Sequence, residues 1–219
     1  MNTPISRTIT RALALITMLS CIAGCNVVTP IAYAIHGPEK INPTYTLPEH
    51  ATTVVFVDDP SSKIAQRRLR YAMADTATSQ LLEKRVLTDM LEPRGIIAAA
   101  TKDSHSKRMS ITELGKSVGA DIVIYAVVTN FSLSPETGSY IPQASLRVKV
   151  IDVAEGKRVW PDTEFGFPLE VQIPQLPGLS PDGNAGQLAI EQQLANRAGL
   201  GISQLFYRHE IGETVLNRR

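Results

Sequence analysis

The amino-acid sequence predicts an α+β fold, a two-layer sandwich in which a mixed β-sheet carries helices on one face. Three observations predict it. Ile122-Val123-Ile124-Tyr125-Ala126-Val127-Val128 is apolar toward both sides, as a central buried strand must be. Residues 140–151 then alternate: Tyr140, Pro142, Ala144, Leu146, Val148 and Val150 share one side, and Ile141, Gln143, Ser145, Arg147, Lys149 and Ile151 the other. That pattern buries one face and leaves the second largely wet. Last, Ile190, Leu194, Ala198, Ile202 and Phe206 recur every four residues, along one side of a helix.

The elements follow in the order β-α-β-α-β-β-β, then a loop and a helix. Thr52–Val57 is a short β-rich run bounded by Asp58-Asp59-Pro60, and reads as the first strand. Asp59 is placed to cap a helix that has Pro60 at its first position and runs to about Glu83, with Ala65, Leu69, Ala72, Met73 and Thr76 in its stripe. Val86-Leu87-Thr88 is a candidate second strand, and Asp89 with Glu92 three residues on marks a short capped segment. Ile96-Ile97-Ala98 suits strand or helix equally. Ser110-Ile111-Thr112-Glu113 is a capping box, opening a helix that ends near Gly119.

The central strand continues through Phe131 and Leu133 to a turn at 134–138. A second tight turn at Ala154-Glu155-Gly156-Lys157 leads into Lys157–Trp160, with the lone Trp160 as a core or rim anchor. From Glu164 to Ile173 the chain alternates again, with Phe165, Phe167, Leu169, Val171 and Ile173 on one side; Pro168 restricts this run to a sheet edge. A Pro/Gly-rich loop over 174–183 precedes the final helix, which starts near Asn184.

Ahead of this domain the chain carries an address. Arg7 and Arg11 form a basic segment free of acidic residues, followed by a largely apolar stretch, Ala12–Ala23, shorter than a membrane-spanning helix of ~20 residues. It ends in Ile22-Ala23-Gly24-Cys25, which resembles the lipobox of bacterial lipoproteins: a branched residue, two small residues, then the cysteine that takes the lipid. Cleavage after Gly24 would leave Cys25 first and lipidated. Cys21, preceded by Met18-Leu19-Ser20, fits less well, and an ordinary signal cleaved nearby is the alternative. The resemblance implies a diacylglyceryl group and an N-acyl chain, and two or more chains anchor a protein stably. Asn26, rather than Asp, follows the cysteine, which favours the outer membrane with the domain facing the periplasm.

The expected organisation is thus a signal peptide at 1–24, a lipidated tether at 25–50, a domain at 51–208 and a C-terminal tail at 209–219. Pro30, Pro38, Pro43 and Pro48 exclude a long helix from the tether, yet Val27, Val28, Ile31, Ala32, Tyr33 and Ile35 are apolar enough to pack on the domain, lie at the lipid interface or dock a partner. With 43% apolar and 20% charged residues in 219, the composition is that of a globular protein. Loss of Arg7 and Arg11 leaves 20 basic against 21 acidic residues, a balance with no electrostatic draw for nucleic acid. With Cys21 removed and Cys25 blocked, no disulfide forms and the core alone holds the fold.

The stretch from Leu114 through Gly119-Ala120-Asp121 into Ile122–Tyr125, and the close Val150-Ile151-Asp152-Val153-Ala154-Glu155-Gly156-Lys157-Arg158-Val159-Trp160, resemble a group of envelope lipoproteins. The group gathers around the curli-secretion lipoprotein, the penicillin-binding-protein activator lipoprotein and the amino-terminal domain of TolB. The match covers about residues 52–160. It implies the α+β fold and a periplasmic adaptor or assembly role, and it supplies no catalytic residues, because these relatives include channels, activators and assembly factors. The channel relatives need paired, lipid-facing strands of about ten residues. Here only Phe165–Ile173 has such alternation, and it contains Pro168.

No constellation of catalytic or metal-ligating residues stands out. His36, His50, His105 and His209 lack metal-ligand spacing, and Asp103-Ser104-His105 sets triad residue types side by side in a polar segment, whereas a triad assembles from separate elements. Asp58 and Asp59 could ligate a metal or act as an acid–base pair, but a strand-to-helix junction favours capping. No cofactor is expected. The reading is a non-enzymatic, lipid-anchored interaction module that helps assemble or regulate an envelope complex. It would bind an envelope protein through Gln143, Ser145, Arg147 and Lys149 on the wet sheet face, or through the apolar tether. Self-association into a homo-oligomer is left open. The alternatives are a small periplasmic hydrolase with an unrecognised site and a subunit of an oligomeric secretion channel.

Overall fold

A computed structural model describes residues 39–102, 109–134, 140–174 and 183–215. Gly24, Cys25, the signal, most of the tether, Asp103-Ser104-His105, most of the turn at 134–138 and most of the loop after Pro174 lie outside the described residues. The chain divides into two units, Ile41–His209 with Glu213–Arg219, and Met1–Lys40 with Glu210–Gly212. In the second of these, the Ile211 N–H donates to the Glu39 carbonyl at 2.9 Å.

The strands are β1 (Lys40–Ile41), β2 (Thr53–Asp58), β3 (Ile122–Ser132), β4 (Gln143–Asp152), β5 (Lys157–Trp160), β6 (Phe167–Gln172) and β7 (His209–Glu210); the helices are α1 (Arg67–Glu83), α2 (Pro93–Lys102), α3 (Ile111–Val118) and α4 (Gly183–Gln204). β1 and β7 make a two-stranded ladder, and the other five strands form the main sheet. β2 runs parallel to β3, with Thr53 level with Ile122 and Asp58 level with Val127. β3 and β4 are antiparallel, with a bulge between Val128 and Asn130. β5 and β6 share the far edge of β4: β5 pairs with Val150–Asp152 and β6 with Gln143–Val148. This is the mixed sheet of an α+β sandwich, as the sequence predicts.

Burial explains the layering. Val54, Val55, Phe56 and Val57 of β2 are all buried, so helices cover both of its faces. On the side of Val123, a Cβ at Gly115 of α3 would stand only 2.9 Å from the valine side chain. On the opposite side, Trp160 is level with Val150, and Phe206, just beyond α4, meets its ring edge-on at 6.0 Å. The helices are therefore not confined to one face. α1 and α4 pack together where Gly199 meets Met73 and Thr76; α1 buries Leu69, Met73, Ala77 and Leu81, and α4 buries Ile190, Leu194, Ala198 and Ile202. α3 lies on the other side, over the start of β3 and the end of β4, with Gly115 against Val123 and Val153. A parallel pair needs a long crossover, and here three helices supply it instead of one.

Several local expectations change. Asp59 accepts from the backbone N–H of Lys63 and Ile64, both at 2.8 Å, and so closes a turn; α1 begins seven residues after Pro60, with Gln66 at its cap. Val86–Thr88 is not a strand. Leu87 plugs the core, and only Met90 bridges to Thr53, so the chain brushes the edge of β2 before Pro93 opens α2. Ile96-Ile97-Ala98 lies in α2. Phe165 is 80% exposed and stands outside the alternation of β6, because Gly166 turns the backbone at φ +82°. The capping box holds: Ser110 Oγ accepts from the Glu113 N–H, Glu113 accepts from the Ser110 N–H at 2.7 Å, and Gly119 closes α3 in the left-handed conformation. Among the described residues, no helix is long and apolar enough to cross a membrane.

Candidate functional site

The strand β4 sorts its side chains by parity. Ala144, Leu146, Val148 and Val150 are buried, whereas Arg147 is exposed and Gln143, Ser145 and Lys149 are half-buried. All four residues singled out in the sequence thus stand on one face, the one that α3 covers near Val123 and Val153. Cross-strand register extends the face in rows. Val127 and Pro168 flank Arg147, Asn130 and Glu170 flank Ser145, and Ser132 and Gln172 flank Gln143. Tyr125 is level with Lys149 on β3, and the lysine stem passes close to the turn at Gly166. The ion pairs among the described residues, Arg94–Glu92 and Lys157–Glu155, involve neither Arg147 nor Lys149. Two basic groups two residues apart on β4 thus share this face, and Val127 stands between Arg147 and Asp58 in one row.

At the β2 end of the same rows the two consecutive aspartates diverge. Asp59 is spent on its turn. Asp58, one residue earlier and on the opposite side of the strand, accepts a hydrogen bond from the Tyr125 hydroxyl at 3.0 Å. The Phe56 and Tyr125 rings stack at 5.6 Å on that same side. Among the described residues, Asp58, Phe56 and Tyr125 line one side of a hollow of about 220 Å³, and Ala100 of α2, Met109, Ser110, Ile111 and Leu114 line it as well. The hollow lies beside the carboxyl end of β2 and the middle of β3. Among the described residues that line it, Asp58 carries the one carboxyl.

The other candidates have structural occupations. Trp160 stacks on Phe167 at 5.1 Å and leans on Tyr45 at 5.8 Å, as an anchor at the core's rim. His209 is buried, with Nδ1 3.1 Å from the Tyr207 carbonyl oxygen. Burial pushes the Tyr207 hydroxyl above the ordinary tyrosine value, and desolvation lowers Arg197 on α4. Among the described residues, no three His, Cys, Asp or Glu side chains converge on a metal-sized site. Sequence reasoning passed over Tyr125. The signal was there: one hydroxyl in a seven-residue apolar run, on a strand whose parallel neighbour ends in an aspartate.

No family model matches the chain, and no curated protein matches it. Solved structures do. The chain is similar to the PelC dodecamer protein of Paraburkholderia phytofirmans, with 11% identity and a TM-score of 0.41, over 78% of this chain and 97% of that one. It is similar to lipoprotein GNA1162 of Neisseria meningitidis, with 16% identity and a TM-score of 0.39, over 66% of this chain and 99% of that one. The LpoB C-terminal domain of Escherichia coli is a third, with 12% identity and a TM-score of 0.33, over 67% and 94%. These are likenesses of chain path, and no residue role passes from them to this protein.

Proposed function

We propose that the protein is a lipid-anchored, non-enzymatic interaction module of the bacterial cell envelope, which helps assemble or regulate an envelope complex. Cys25, after cleavage behind Gly24, carries the lipid and holds the domain at the outer membrane, facing the periplasm. The partner docks on the β4 face through Gln143, Ser145, Arg147 and Lys149. The observation that supports this reading is that Arg147, exposed, and Lys149, half-buried, share one face of β4 and take part in neither ion pair among the described residues. An exposed charge such as that of Arg147 contributes little to folding, which leaves it available for recognition. The charge of the two residues suits an acidic or hydrogen-bonding surface on the partner.

The test is crosslinking in intact cells expressing tagged full-length protein, with the captured proteins identified by mass. A discrete envelope protein should be recovered with the unaltered chain. It should be lost with Arg147→Glu/Lys149→Glu, and reduced by Cys25→Ala, which releases the domain from the membrane fraction. Capture that is unchanged in the double variant clears the β4 face of this role.

A further inference from the structure

We infer that the amino end of α1 is a membrane-facing patch, which sets Lys63, Arg67, Arg68 and Arg70 against anionic phospholipid headgroups. This rests on the lipid-anchored reading above and adds which face the domain turns to its own membrane. Four basic residues fall within the eight positions 63–70, in a chain whose formal net charge is only +1. Lys63, Arg67 and Arg68 are exposed and Arg70 is half-buried. Helical side chains lean toward the amino end of their helix, so the three arginines gather at the end where Lys63 enters. Arg70 shows the lean, its Nε donating to the Val57 carbonyl at 3.2 Å.

None of the four joins an ion pair among the described residues. Carboxylates close by are engaged elsewhere: Asp59 accepts from the backbone N–H of Lys63 and Ile64, and Glu191 accepts from the side-chain amides of Gln66 and Gln187. Arg68 Nε donates to the neutral Gln66 at 2.6 Å. Folding does not favour this arrangement. The amino end of a helix carries positive partial charge, which disfavours cations in the first turn. α1 has Arg67 and Arg68 there, and no acid.

The surroundings select headgroups over an acidic protein. Protein docking is carried by aromatic or large apolar anchors, and none of the exposed ones, Leu82, Phe165, Leu188 and Ile211, lies within 59–70. Headgroups require only charge, and each Lys or Arg near an anionic surface favours contact about five-fold. The anchor supplies proximity. From Cys25 to Glu39 the chain spans at most ~50 Å, well beyond the ~16 Å radius of gyration of a domain this size. Any face can therefore turn to the bilayer, and charge selects this one.

The test uses the full-length lipidated protein in vesicles, with a polarity-sensitive fluorophore on Ser61→Cys, an exposed position just before Lys63. The control carries the same label on Ser79→Cys, ~18 Å along α1 from Arg67. The Ser61 label should shift to the blue in mixed phosphatidylcholine/phosphatidylglycerol vesicles and return at high salt. It should not shift in pure phosphatidylcholine, and the Ser79 label should shift in neither. Lys63→Gln/Arg67→Gln/Arg68→Gln should lower the ratio of contacting to free domain about 100-fold. A fall of less than ten-fold, an equal shift in pure phosphatidylcholine, or an equal shift at Ser79 overturns the patch. A shift with soluble polyglutamate but not with mixed vesicles also overturns it, and assigns these residues to an acidic protein.

Flotation separates this inference from the reading beneath it. Protein that floats with both kinds of vesicle, yet shows no Ser61 shift, keeps the anchor and overturns the patch. Protein that floats with mixed vesicles alone, its Cys25 open to the label, overturns the lipid anchor and supports the patch.

Discussion

Gly199 is where α4 touches α1, and replacing it with alanine puts two opposed effects on one atom. In an isolated helix the change stabilises by about 1 kcal/mol, because alanine has the higher helix propensity. Here the added Cβ would stand 2.3 Å from the Met73 carbonyl oxygen and 2.8 Å from the Thr76 Cβ. The first obstacle is backbone and cannot swing aside. Reaching ordinary contact means parting the helices by about 1 Å, a gap at which packed atoms forfeit up to half of their attraction. Overpacking of this kind costs up to about 3 kcal/mol, so the net loss is about 2 kcal/mol. For a chain of this size that lowers Tm by about 4–8 °C.

Gly95 of α2 is the internal comparator: a Cβ there meets only Val118, at 3.7 Å, which is ordinary contact. Gly95→Ala should therefore stabilise by up to about 1 kcal/mol. Denaturant unfolding followed by circular dichroism measures both. A Gly199→Ala protein as stable as the original, or more so, refutes the argument from close approach.

Two further outcomes are expected. Ser110→Ala breaks the capping box of α3 and should cost about 1 kcal/mol, with the largest loss of amide-exchange protection in residues 111–114. On α1, burial raises the Asp75 carboxyl above the ordinary carboxylate value, against the pull of Arg94 and with a push from Glu92. The folded state then holds the Asp75 proton more tightly than the unfolded chain does. Stability is gained as pH falls through the raised value, and is absent at neutral pH. Asp75→Asn should accordingly be at least as stable as the original at pH 7, with the difference closing in acid; urea midpoints across pH 3–7 would show it.

Legibility in the sequence followed how local the determinant was. The Ser110 capping box and Gly119 stop are written in ten residues, and they stand as read. β3 and β4 were legible because alternation and double-sided burial are properties of single strands. Val86–Thr88 misled because a short apolar run plugs a core as readily as it pairs, and Leu87 plugs. Asp59 misled because the same carboxylate that caps a helix also closes a turn, and only the chain beyond it decides. The sidedness of Gln143, Ser145, Arg147 and Lys149 was visible in the sequence. Whether a helix covered that side was not, since this depends on how the crossover divides between two layers. The Asp58–Tyr125 pair spans 67 residues, and only the register of two parallel strands brings it together.

The division of one edge of β4 between β5 and β6 has an evolutionary consequence. Each short strand is held by its own stretch of β4, and the segment from Pro161 to Gly166, with Phe165 at 80% exposure, links them without belonging to the ladder. Length changes there leave both registers intact. Descendants of this domain can lengthen, shorten or decorate that link freely. It is the natural place for paralogues to diverge in what they meet while the scaffold beneath them stays the same.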